Sequence, residues 1–293
     1  MLSTPADPFR NKAFAVQVLR RGKEAGGEAM QADLWMFMGQ SNMAGRGITS
    51  ERWPETAPEL IPGAGWEYRA VSAPFQLFPI AEPFGKDENR QGGINDGTMK
   101  TGSLVTSFVN AWYARTRVPV LAVSASKGGS CMKEWQPGSP YLNDAMQRMH
   151  DALAFMQSSG HTVPHRYVLW CQGETDGDLG TEEAAYRDMF LRMLDVMRSQ
   201  GIEKLMMIAI GQCNLPGAET RYDAVNRWQK AIAAEREDVC LVSTRFESMR
   251  EEGLMKDAFH YYQRGYNLCG EDAGKHAADA LLPSYQGADC TKK

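Results

Sequence analysis

Ser41 stands in the stretch Leu34-Trp35-Met36-Phe37-Met38-Gly39-Gln40-Ser41-Asn42-Met43-Ala44-Gly45. Five unbroken apolar residues ending at a glycine suit a strand buried on both faces, with a strand-to-helix turn behind it. Ser41 is at the apex of that turn. A serine hydroxyl becomes a nucleophile beside a base, and the base is held by a carboxylate. Asp257 and His260 can supply both. In a loop entering a helix, their three-residue spacing lets the carboxylate accept from one ring nitrogen while the other faces outward. The remaining four histidines are less suited: His150 and His276 fall in helical patterns, and His161 and His165 flank a Gly/Pro turn. Acyl transfer also needs donors aimed at the oxyanion. Gly128, in Lys127-Gly128-Gly129-Ser130, offers an unobstructed backbone N–H, and the side chain of Gln172, in Gln172-Gly173-Glu174-Thr175-Asp176, offers another.

Each of these residues also has an ordinary structural use. Serine is a favoured helix N-cap, and Asp257 with His260 suits a surface pair at a helix start. Gly128 and Gly129 suit a tight turn with positive φ, and Gln172 can satisfy loop carbonyls at a strand end. Glu174 and Asp176 lack a third ligand at a fitting spacing, so they make a poor metal site. No metal or organic cofactor is expected.

The elements between these motifs decide whether they can meet. Hydrophobic periodicity predicts strands at 33–38, 118–125, 167–170, 205–210 and 239–242. It predicts helices at 103–115, 143–157, 181–199, 222–235 and 265–281. Such alternation means βαβ units and a parallel sheet covered on both faces. The four motifs then follow strand carboxyl ends and share one edge of the sheet. Between residues 49 and 100 the pattern dissolves. Prolines 54, 58, 62, 74, 79 and 83, with six glycines, leave no room for a long regular element. Its aromatics, Trp53, Trp66, Tyr68, Phe75, Phe78 and Phe84, argue against disorder. An ordered excursion over the carboxyl end of the first strand is expected. These rings, with Trp135, suit stacking on a sugar face or forming the loop's own core. Residues 1–31 read as an extension with one possible strand at 13–19, and 286–293 as a tail.

Composition narrows the function classes. Hydrophobic residues make up 43% and charged residues 23%, with a net charge of −4 and no basic block, so nothing points to nucleic acid or an anionic membrane surface. No run of 18 apolar residues suggests a membrane span. The six cysteines are all 21 or more residues apart in sequence, unlike zinc or thioredoxin motifs, and read as mostly reduced. Residues 1–31 lack the apolar core of a signal peptide. That leaves an intracellular protein or one exported with its leader already removed.

The four motifs, in this order, resemble the sequence blocks of the SGNH hydrolase superfamily. The resemblance covers roughly residues 33–282 and is nearest to the sialate O-acetylesterase and carbohydrate esterase family 6 (acetylxylan esterase) branch. Glutamine rather than asparagine at position 172 matches that branch. The resemblance implies Ser41 as nucleophile, His260 as base and Asp257 as its orienter. It also implies an oxyanion hole of the Ser41 and Gly128 N–H groups and the Gln172 side chain. Gln40, Gly129, Glu174 and Trp135 are expected as supporting or substrate-contacting residues. The expected fold is one α/β/α three-layer domain over 32–285, with a mostly parallel, flavodoxin-like sheet of about five strands. The implied function is removal of O-acetyl groups from a carbohydrate such as acetylxylan or sialic acid, through an acetyl-enzyme. Two alternatives stay open: a lipase-like or thioesterase relative acting on longer chains, and a catalytically silent carbohydrate-binding protein.

Overall fold

Strand β1 (Asp33–Gly39) lies inside the sheet with all seven residues buried, as its unbroken apolar run requires. The structure is a computed structural model, which describes residues 29–288. β1 pairs in parallel with β4 (Val120–Ser126) on one side and β5 (Arg166–Cys171) on the other. β6 (Lys204–Ile208) and β7 (Val239–Ser243) continue the parallel sheet beyond β5. These five strands have the flavodoxin-like order 2-1-3-4-5 when counted along the chain. The sheet has two further strands, however. β2 (Gly65–Tyr68) pairs in parallel with β4, and β3 (Leu77–Pro79) pairs antiparallel with β2.

The complete order is therefore β3-β2-β4-β1-β5-β6-β7, seven strands where about five were expected. Both additions come from the 49–100 excursion. At four and three residues they are too short to show a period of two, and glycines and prolines crowd around them.

Alternation along β1 feeds two cores, because successive strand side chains point to opposite faces. Trp35 and Phe37 pack with Phe108, Trp112 and Tyr167 under helices α2 (Val105–Thr116) and α7 (Gln263–Ala288). Leu34, Met36 and Met38 pack with Trp170 and Phe190 on the other face. That face is covered by α3 (Pro140–Ser158), α5 (Glu183–Ser199) and α6 (Asp223–Glu235). The one-turn helix α1 (Ser41–Ala44) follows β1, and the short α4 (Glu174–Leu179) follows β5. The strand expected at 13–19 lies outside the described residues. Among the described residues no helix is long and apolar enough to cross a membrane.

Buried charge holds the excursion to the sheet. Arg148 of α3 is fully buried and donates to Ser124 O at 2.9 Å, Glu88 O at 3.0 Å and Ile94 O at 3.2 Å. Its neighbour Asp144 pairs with it at 3.0 Å and accepts the Ile94 N–H at 2.8 Å. One helix face thus stitches two points of the excursion to β4. Lys100 is buried too, and its Nζ donates to Ser124 Oγ at 2.7 Å. Burial brings the Lys100 ammonium down to a pKa of about 8. Removing one partner of a buried pair typically costs about 3–5 kcal/mol, because the other charge is left uncompensated. Arg148→Ala should therefore lower unfolding free energy by an amount in that range, read from the midpoint and slope of a urea titration. A loss below about 1 kcal/mol would contradict this account of the anchoring.

Candidate active site

The three central strands end level with one another: Gly39 is opposite Ser126 on one side and Cys171 on the other. Gln40 N donates to Cys171 O at 2.9 Å, and a Cβ on Gly39 would come within 2.0 Å of that same oxygen. Only glycine allows β1 and β5 to stay so close at this turn, where φ is +133°. The chain then enters α1, whose first residue is Ser41. The Gln40 side chain braces the turn, its Oε1 accepting from the backbone N–H groups of Gly173 (3.1 Å) and Thr175 (3.4 Å).

The loop beyond β7 comes back over this edge. His260 Nε2 lies 2.9 Å from Ser41 Oγ, and His260 Nδ1 lies 3.0 Å from Asp257 Oδ2. Asp257 Oδ1 also accepts the backbone N–H groups of Phe259 and His260, each at 2.8 Å. A tight turn therefore presents the carboxylate to the ring. Nδ1 carries the proton in neutral His260, since a carboxylate only accepts, and Nε2 faces Ser41 with its lone pair. Residues 219 positions apart become a single hydrogen-bonded line.

The electrostatics follow from burial and neighbours. Desolvation lowers the His260 pKa from its usual value, opposed by the bond and charge of Asp257 and aided by the cations Lys256 and Arg46. Partial burial pushes Asp257 up, but its bonds from Phe259 N, the His260 ring and His260 N outweigh this and hold it below the ordinary carboxylate value.

Gly128 follows β4, and its N–H has no acceptor among the described residues. A Cβ there would lie 2.5 Å from Arg46 Nη2 and 3.1 Å from Asp96 Oδ1, so a side chain is excluded from behind. Arg46 and Asp96 form a buried ion pair at 2.6 Å. Lys127 N donates to Gly39 O at 2.8 Å, which ties this loop to the turn that carries Ser41. Gly129 is exposed, with φ +72° and open space where a Cβ would be.

Two expected roles change. Gln172 is fully buried, and its Nε2 donates to Ser130 O at 3.1 Å and to Asp176 Oδ2. Both amide hydrogens are spent, so in this arrangement Gln172 does not donate to an oxyanion; it supports the Gly128 loop from below. A reversed amide would set its oxygen against the Asp176 carboxylate, which also accepts Met132 N at 2.9 Å. Trp135 is also fully buried, edge-on to Trp170, with Nε1 donating to Ser130 Oγ at 2.9 Å. It cannot stack on a sugar. Tyr68 and Phe84 are likewise buried, while Phe75 is exposed.

Glu174 is buried beside the turn, its Oε1 accepting from Asn42 Nδ2 at 2.6 Å. Burial raises its carboxyl to a pKa of about 7. Sequence reasoning gave no role to Asn42, Arg46, Asp96 or Asn214. Asn42 sits inside a quoted motif and was discoverable there. The Arg46–Asp96 pair spans 50 residues of irregular chain and leaves no local signal. Asn214, whose N and Nδ2 donate to Ala258 O (3.0 Å) and Asp257 O (3.3 Å), likewise has none.

Residues 31–279 match the model of the family described as carbohydrate esterase, sialic acid-specific acetylesterase. The chain belongs to this family. Among solved structures, the fold is shared by a protein from Arabidopsis thaliana, at a TM-score of 0.60 and 22% identity over 87% of this chain and 98% of its own. The NanS structure gives a TM-score of 0.57 at 13% identity, covering 88% of this chain and 98% of NanS. A carbohydrate acetylesterase from Xanthomonas citri gives 0.55 at 16% identity, covering 87% of this chain and 56% of that one. No curated protein sequence matches significantly. The seven-stranded α/β/α architecture is thus the fold shared with these structures.

The opposing influences on His260 can be separated in solution. Its ring should titrate below pH 6.5 in an NMR pH series, since burial outweighs Asp257. Asp257→Asn should move the midpoint further down, because the carboxylate favours the protonated ring. A midpoint that rises in this variant would contradict the assignment.

Proposed function

We propose that this family member is a serine esterase that removes O-acetyl groups from a carbohydrate. The observation that carries the proposal is the hydrogen-bonded line Ser41 Oγ–His260 Nε2 (2.9 Å), His260 Nδ1–Asp257 Oδ2 (3.0 Å). Ser41 attacks the ester carbonyl as His260 takes its proton; Asp257 holds the ring and stabilises the imidazolium. In this reading the N–H groups of Ser41 and Gly128 face the developing oxyanion, with the Arg46–Asp96 ion pair packed behind Gly128. His260 then gives that proton to the leaving sugar oxygen, which departs as a free hydroxyl. Water, activated by the same ring, attacks the acetyl-enzyme and regenerates Ser41.

A short acyl group suits the surroundings of Ser41. After it come Asn42-Met43-Ala44-Gly45-Arg46-Gly47, in which Met43 and Ala44 are turned into the core. The loop after Gly128 runs Gly129-Ser130-Cys131-Met132, with Met132 buried as well. Neither segment offers an aliphatic trench. An added CH₂ contributes about 0.8 kcal/mol only where a pocket receives it. The family description and the carbohydrate acetylesterase among the similar structures support the choice of an acetylated sugar.

Ser41→Ala should cut ester hydrolysis by about 10³-fold or more while leaving the unfolding transition unchanged. Asp257→Asn should cost no more than His260→Ala, because the imidazole itself moves the proton. Activity of Ser41→Ala within tenfold of wild type would remove the serine mechanism. With nitrophenyl acetate, butyrate and octanoate, kcat/KM should fall by about tenfold or more by octanoate, since the longer chains lack a pocket. A rise with chain length would instead favour a lipase-like or thioesterase activity on the same serine.

A further inference from the structure

The contact between Ser41 and His260 joins two segments that sequence does not hold together, and something must set their separation. The loop 256–260 is held on its outer side by exposed or half-exposed contacts. Lys256 N donates to His260 O at 2.9 Å, Asn214 donates twice to the 257–258 backbone, and the Asp257 side chain is 42% exposed. On its inner side a buried side chain reaches its backbone. Asn42, with no exposed surface and adjacent in sequence to Ser41, donates from Nδ2 to Phe259 O at 3.1 Å. Phe259 is the residue before His260.

The orientation of the Asn42 carboxamide is determined on three sides. Its Nδ2 also donates to Glu174 Oε1 at 2.6 Å, and its Oδ1 accepts from Tyr266 Oη at 2.7 Å. Turned over, the amide would set its oxygen against both the Glu174 carboxyl and the Phe259 carbonyl. Glu174 comes from the helix after β5 and Tyr266 from α7, so the nucleophile turn, the β5 edge, the last helix and the histidine loop all meet at one side chain. Glu174 is itself buried, and its Oε2 has no hydrogen-bond partner among the described residues. A carboxyl buried with one oxygen unpaired is costly unless another role retains it.

We propose that Asn42, anchored by Glu174, is a positioning residue that sets the Ser41–His260 separation by clamping Phe259 O to the nucleophile turn. The proposal rests on the serine-esterase reading above, and deepens it. Asn42 touches neither substrate nor the transferred proton; it acts through the backbone on either side of the reacting pair. Errors of about 1 Å in such a pair can cost about 10²-fold in rate. The expected signature is therefore a lower kcat with KM little changed, since the acetyl group and sugar contact other residues.

The test uses the full chain, with two readouts: steady-state hydrolysis of nitrophenyl acetate and the rate at which a fluorophosphonate labels Ser41. Asn42→Ala should lower kcat and labelling rate together by about 10²-fold, with KM within about threefold of wild type. Glu174→Gln keeps a carbonyl oxygen for Asn42 and should stay within about fivefold of wild type in both. The deciding variant pairs Asn42→Asp with Glu174→Gln. The two side chains can then exchange donor and acceptor, restoring their mutual bond, but nothing donates to Phe259 O. Thermal stability should recover relative to Asn42→Asp alone, while kcat and labelling stay low. If kcat recovers along with stability, Asn42 is only a packing element and the proposal falls. It falls equally if Asn42→Ala is labelled at the wild-type rate. If Asn42→Ala does not fold, the paired variant still decides. Wild-type enzyme that hydrolyses the ester without labelling at Ser41 would instead overturn the serine reading.

Discussion

Everything at this site depends on a level ending of three parallel strands. β4, β1 and β5 stop together, and the close approach of Gly39 to the Cys171 carbonyl allows the chain to turn there without splaying the sheet. The turn points Ser41 outward, the Lys127 amide bonds back to Gly39, and Gln40 bonds across to Gly173 and Thr175. Each loop is therefore referenced to the same short stretch of backbone. Sheet hydrogen bonds are rigid and buried, so they make a better frame for catalytic geometry than loops resting on each other. Only the histidine loop arrives from farther away, and it is the one that needs a dedicated side-chain tether.

Below this frame the polar groups are arranged in two tiers. Ser41, His260 and Asp257 form the upper tier, open to solvent at the Asp257 end. Gln172, Asp176, Ser130 and Trp135 form the lower, in which each donor listens to a buried acceptor and none faces the substrate. Buried networks whose donors are all paired are stiff, although Gln172 Oε1 has no hydrogen-bond partner here, and a further partner lost would leave another unpaired group in low dielectric. The lower tier thus fixes the Gly128 loop, whose N–H, in the proposed reaction, would keep one direction while charge builds and decays on the substrate.

Much of this was legible in the chain before folding. β1, β4 and β5 are readable because a strand covered on both faces is an uninterrupted apolar run, whereas Ser41, Asp257 and His260 each have an ordinary structural use and are singled out only by the resemblance that the four motifs carry together. The excursion was only partly readable. Its aromatics showed that it was ordered, but β2 and β3 are too short for periodicity, and their pairing with β4 is a decision made by tertiary contact. Gln172 and Trp135 show a different limit. Their presence in the motifs was readable, but the direction of an amide or an indole depends on neighbours such as Asp176 and Ser130, which sequence spacing does not orient. The same applies to Arg148, whose charge in an amphipathic helix looks like a solvated position until two excursion carbonyls and one of β4 are seen around it.

The Arg46–Asp96 pair has a consequence for how this protein can change. Asp96 belongs to the excursion, Arg46 to the loop after Ser41, and their junction is packed against the back of Gly128. The excursion is thus no interchangeable cassette laid over a finished catalytic core. Grafting in a segment without an acid at position 96, or trimming that acid away, withdraws the counter-ion from a guanidinium packed behind the Gly128 loop. Diversification of this region is confined to changes that keep an acid at that junction, or that replace both charges together.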